Sequence, residues 1–176
     1  MTLDDLKKLK IENLSTDSLH AIISGDNNEE YFSLCPNASE DDNEETKLMR
    51  LMNVAREEFL KDSVYSIEFR YRGYGDSFDY CDWDYFFNGV DFSNIRYSQL
   101  RSKVENKWDN FSKFVAEVTE QHFAVEGYEI NDGGGGDTTW DLEKNTLEHE
   151  GFYFETIKRT ESGDSLDLNS VNNEEE

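Results

Sequence analysis

The sequence predicts an α+β fold: an antiparallel sheet of about four strands with a long central helix and N-terminal helices packed on it. Three observations carry that expectation. Residues 64–72 alternate, with Tyr65, Ile67, Phe69 and Tyr71 on one face and Ser66, Glu68, Arg70 and Arg72 on the other, the period of a half-buried strand. Residues 97–123 hold the longest helical period, with Leu100, Val104, Trp108, Phe111, Val115, Val118 and His122 along one stripe. Three short strand signals follow, at residues 127–131, 138–143 and 146–156.

The remaining elements fall into order around these. Residues 2–14 suit a short helix, with Thr2 as N-cap, Asp4 and Asp5 in the first turn and Leu3, Leu6 and Leu9 as its stripe. Residues 15–23 suit another, stopped by Gly25. Residues 43–61 place Leu48, Leu51, Met52, Ala55, Phe59 and Leu60 at helical spacing. Gly73 and Gly75 end the first strand. Residues 77–87, dense in Phe, Tyr and Trp, read equally as a second strand or an aromatic-rich loop. Residues 131–137 read as a flexible glycine loop, and Lys144-Asn145 as a tight hairpin turn in which Trp140 and Leu142 share one face.

The chain has 176 residues, enough for one well-packed domain, expected over 1–158, with 26–45 as an acidic, linker-like segment and 159–176 as a disordered acidic tail. Apolar residues are only 36% of the chain while aromatics are 14%, so the core is expected to be built from rings. Cys35 and Cys81 are the only cysteines, the N-terminus is acidic rather than signal-like, and no stretch approaches a membrane span. These features lead to an expectation of a cytoplasmic protein with both thiols reduced.

The net charge is −23, and it is not evenly spread. Residues 26–45, 75–92, 126–143 and 161–176 carry eight, five, six and six carboxylates and no Lys or Arg, which leaves the rest of the chain near neutral. Such a chain repels nucleic acid and anionic membranes and is drawn to basic surfaces. The outer two windows are the kind of charge run that merely solvates. The inner two lie among aromatics and strand signals, where retained like charge carries more meaning.

The motifs that would carry chemistry are weak. The glycine run 133–136 lacks a following helix and Lys, and Asp132 and Asp137 would repel phosphate. Asp76, Asp79, Asp82 and Asp84 could hold a hard cation but miss the calcium-loop pattern. His20, His122 and His149 are not at metal-pair spacing, and neither cysteine has a nucleophile signature around it. No cofactor is implied.

The stretch 128–136 (Tyr-Glu-Ile-Asn-Asp-Gly-Gly-Gly-Gly), with Asp141, Thr146-Leu147 and residues 153–155 after it, resembles the C-terminal part of a family of bacterial and phage proteins without assigned activity. The earlier Gly73-Tyr74-Gly75-Asp76-Ser77 resembles that family's turn after its first strand. The resemblance spans about residues 64–156. It implies a strand, a long helix and hairpins, and it transfers no functional residue.

The function expected is an acidic protein-binding module whose partner presents a basic surface. Its sharper form is a phage-type DNA mimic that inhibits a nucleic-acid-binding defence protein by occupying its basic site. The expected contacts are Asp76, Asp79, Asp82, Asp84, Asp132, Asp137 and Asp141, with Tyr80, Trp83 and Tyr85 as aromatic anchors. The alternative is a small hydrolase or metal-binding enzyme using the carboxylate cluster.

Overall fold

The computed structural model describes residues 9–74, 77–124, 133–153 and 159–167, and of 74, 77–80 and 159–167 the backbone. A 3-10 turn, Ile11–Asn13, leads into α1 (Thr16–Ser24), α2 (Asn28–Leu34) and α3 (Glu44–Lys61). The hairpin β1 (Val64–Tyr74) and β2 (Ser77–Phe87) follows, then α4 (Ile95–Phe123) and the meander β3 (Gly134–Asp141), β4 (Thr146–Tyr153) and β5 (Arg159–Asp167). The sheet has five strands in the order β2-β1-β3-β4-β5, with every neighbouring pair antiparallel. The class is α+β, with the long helix packed on β1 and β2 and with α3 beside it on β1.

Local chemistry sets the helix ends. Ser15 Oγ accepts from the Ser18 N–H at 3.1 Å, and Gly25, at φ 88°, turns the chain out of α1. Asn43 Oδ1 accepts from the Thr46 N–H at 2.8 Å to open α3, and Asn94 Oδ1 from the Arg96 N–H at 2.9 Å to open α4. On α4 the expected stripe is buried at Val104, Trp108, Phe111 and Val115, with Phe114 added, whereas His122 is exposed. The core is aromatic at its centre. Phe59 of α3 stacks on Trp108 of α4 at 4.3 Å and meets Trp140 of β3 edge-on at 5.9 Å. Ile67, Phe69 and Tyr71 of β1 point into that core, as their alternation requires.

Four expectations change. First, residues 26–45 are not a linker. They contain α2, bury Tyr31, Leu34 and Cys35, and are tied to α3 through Asp42. Its Oδ2 accepts from Tyr31 Oη at 2.6 Å, from the Ser39 N–H at 2.8 Å and from Arg50 Nε at 3.0 Å. Second, residues 159–167 are not tail but the edge strand β5, paired along β4. Its sequence is polar and has no apolar alternation, so only pairing across to β4 makes it a strand. Third, Gly134, Gly135 and Gly136 are strand, not hairpin loop. A Cβ on Gly135 would collide with the Tyr71 carbonyl, and one on Gly136 with Tyr71 and His149, so the glycines let large neighbours close over the backbone. Fourth, the ambiguous segment 77–87 is a full strand. Of the expected first helix, the described part is only the 3-10 turn, and the strand signal at 127–131 lies outside the described residues.

Candidate acidic interaction surface

The helices cover one face of the sheet, and the other face collects polar side chains by register. Opposite residues of antiparallel neighbours share a face. Asp82, Arg70, Asp137 and Glu150 therefore form one row across β2, β1, β3 and β4. Asp84, Glu68, Thr139 and Glu148 form the next.

Arg70 organises the first of the two inner acidic windows. Its Nε and Nη2 donate to the two Asp82 oxygens at 2.8 and 3.1 Å, Nη2 also to Asp84 Oδ2 at 2.6 Å, and Nη1 to Glu68 Oε1 at 3.2 Å. The Asp82 hydrogen bonds, then those of Asp84, push the guanidinium pKa up. Arg101 reaches from α4 to the other Asp84 oxygen at 2.7 Å. In the second inner window, Arg72 pairs with Asp137 at 2.5 Å and lies over the Phe152 ring at 4.8 Å. Lys144 Nζ sits 2.9 Å from Asp141, whose Oδ1 also accepts the Glu143 and Lys144 N–H groups. Burial alone would raise the Asp141 carboxyl, but those N–H groups and Lys144 hold it below its ordinary value.

The expected contacts thus divide. Asp82 and Asp137 keep side-chain exposures of 44% and 40% while ion-paired, and Asp84, at 17%, is held between two arginines. Tyr85 is not an anchor: it is fully buried, its hydroxyl 2.7 Å from Ser112 Oγ, because β2 turns its odd-numbered residues toward α4. Trp83, on that same inward face, is half-buried against the core. Asp76 and Asp132, and the side chains of Asp79 and Tyr80, lie outside the described residues.

Other carboxylates are more available. Glu148 and Glu150 of β4 are exposed and have no ion-pair partner among the described residues. Their alternation with Leu147 and His149 was visible in the sequence, but nearby Lys144 kept them out of the base-free windows. The larger set lies at the N-terminal helices. Asp26, Glu29, Glu40, Asp41, Glu44 and Glu45 are exposed and have no ion pair among the described residues. The two cations in the first half of the adjoining helix are turned inward instead. Lys47 Nζ donates to the Ile22 carbonyl at 3.2 Å, and Arg50 is on Asp42. Burial would raise Asp42, but the Ser39 N–H, Tyr31 and Arg50 together lower its pKa.

The groups that could do chemistry are otherwise occupied. Burial pushes both the Cys35 and Cys81 thiols up to about 12, away from the thiolate a nucleophile needs. His149 is buried, stacked between Phe123 at 5.2 Å and Tyr71 at 5.8 Å, with Nδ1 3.0 Å from Thr138 Oγ1. His20 Nε2 donates to Glu117 at 2.8 Å. Among the described residues no three His, Cys, Asp or Glu side chains converge as a metal cage, and no helix is long and apolar enough to cross a membrane. No protein family, curated protein or solved structure matches this chain.

Proposed function

We propose that the protein is an acidic binding module whose folded carboxylate surface occupies a basic site on a partner protein, and that the site is one built for a nucleic-acid backbone. One observation carries this reading: six exposed carboxylates stand on the folded lobe formed by α1, α2 and the start of α3, with no ion pair among the described residues. Unpaired like charge on a folded surface destabilises the compact state by self-repulsion, and a cationic partner relieves it. Glu148 and Glu150 extend the same chemistry to the open sheet face. The paired acids around Arg70 and Arg72 contribute less, since their charge is already partly compensated.

B-DNA presents about one charge per 1.7 Å of axis, and its binders answer with Lys and Arg grooves that carboxylates can occupy in its place. The hydrolase reading drew on the carboxylates of 76–84, and there Arg70 already engages Asp82 and Asp84. The test is a pull-down from host lysate at low and high salt, repeated with competing duplex DNA. A basic, DNA-binding partner that salt releases and DNA displaces supports the reading, with retention lost on neutralising Asp26, Glu29, Glu40, Asp41, Glu44 and Glu45 together. Absence of any basic partner at low salt overturns it.

A further inference from the structure

One concavity of the acidic lobe lies against the end of the long helix. The second half of α1, the first turn of α3 and the last turns of α4 enclose a cavity of about 190 Å³, far above the ~10–15 Å³ one water needs. Its walls are apolar where the three helices meet, at Ile23, Leu48, Val118 and Phe123. Its rim carries the carboxylates of Glu44 and Glu45, and His20, hydrogen-bonded to Glu117, closes one side. The helix ends add to the same sign. The C-terminal end of α4 is the negative pole of the longest helix, and the positive pole of α3 is outweighed by the two glutamates of its own first turn. Lys113 of α4 approaches Glu117 only at 3.9 Å and remains 56% exposed.

An apolar slot with anionic rims suits one kind of guest: a methylene stem to lie on the wall and a cationic head to meet the carboxylates. We propose that this cavity is a binding site for a cationic group on a short apolar stem, the chemistry of an arginine or lysine side chain and of a free alkyl guanidine or amine. The inference rests on the acidic-module reading and sharpens it: the cavity is where a basic partner seats an anchoring side chain. The side-chain source is favoured by the setting, because Glu44 and Glu45 are continuous with the exposed carboxylates that would steer the rest of a basic surface.

The probe is butylguanidinium, titrated into the full-length chain at low salt while the His20 and His122 imidazole signals and the Leu48 and Val118 methyls are followed by NMR. Saturable shifts confined to these groups are expected, with butanol and guanidinium alone each giving far weaker binding. Val118→Phe, which fills the wall, should abolish the shifts. Glu44→Gln with Glu45→Gln should weaken binding about fivefold, the size expected of two rim charges. Equal binding of butanol and butylguanidinium, or undiminished binding to the Val118→Phe chain, overturns the proposal. A short peptide bearing one central Arg distinguishes the sources: it should compete with butylguanidinium at equal or lower concentration if a partner's side chain is the guest, and failure to compete leaves the free guanidine or amine as the ligand. Octalysine binding separates this inference from the wider reading. If Val118→Phe leaves salt-dependent octalysine binding intact, the surface function stands whatever the cavity does.

Discussion

Replacing Gly136 with Ala tests the packing that makes a glycine run into a central strand. The added Cβ would lie 2.5 Å from Tyr71 Oη and 2.6 Å from Tyr71 Cε1, and would collide with His149 Cε1 as well. Ordinary carbon contacts begin near ~3.5 Å, so both rings must withdraw by about an ångström. Neither is at liberty to do so. His149 is stacked between Phe123 and Tyr71 and hydrogen-bonded to Thr138, and Tyr71 is buried. Overpacking of this kind costs about 1–3 kcal/mol, and two rigid rings place it at the upper end. The loss of backbone freedom in the unfolded chain works the other way by about 0.5–1 kcal/mol. The net expectation is a destabilisation of about 2 kcal/mol, or a fall in Tm of roughly 4–8 °C for a chain of this size. Urea unfolding followed by the fluorescence of buried Trp108 and Trp140 measures it. Combining Gly136→Ala with His149→Ala opens the space, so the two changes together should cost at least about 1 kcal/mol less than their sum. A Gly136→Ala chain within about 0.5 kcal/mol of the parent, or a cycle with no coupling, would refute the reasoning.

The remaining expectations concern charge. Asp42 and Asp62 have carboxyl pKa values below their ordinary 3.8 in the folded chain: burial opposes this, but Ser39, Tyr31 and Arg50 outweigh it at Asp42, and Lys107, Trp108 and Lys103 at Asp62. Their stabilisation is therefore present above the unfolded value, about 3.9, and is lost as pH falls through the lower folded value. With a net charge of −23 at pH 7, acidification toward the pI of about 4.3 first relieves repulsion. Urea midpoints should hold or rise from pH 7 to about 5 and fall below about 4, with a shallower acid limb for Asp42→Asn; a steady fall between pH 7 and 5 contradicts this. Arg70→Met releases Glu68, Asp82 and Asp84 from their shared cation; it should cost about 1 kcal/mol in urea unfolding and raise octalysine affinity about threefold by titration calorimetry. Buried Cys35, with its thiol pushed up to about 12, should react with a disulfide reagent at mildly alkaline pH only as the protein unfolds, and rapid labelling of Cys35 in the native state would contradict its burial.

By itself the sequence determined what depends on neighbours along the chain. The stop at Gly25, the alternation of β1 from Ile67 to Arg72 and the stripe of α4 from Val104 to Val115 are all local, and each stands where its pattern places it. So is the blocking of charge into base-free windows. Only the tertiary structure decided which of those charges remain uncompensated, because ion pairing here runs across strands and helices. Arg70 meets Asp82 through a register set by the whole hairpin, and Arg101 reaches Asp84 from another element. Lys47 and Arg50 look available in the sequence and are spent on Ile22 and Asp42. For the same reason the segment first read as linker is the one that displays most of the unpaired acid. The strand character of residues 134–136 and of Arg159–Asp167 was equally hidden, since glycine and polar residues carry no strand signal and become strand only when a neighbour supplies the hydrogen bonds and the bulk. Local sequence placed the negative charge, and long-range pairing decided where it is left exposed.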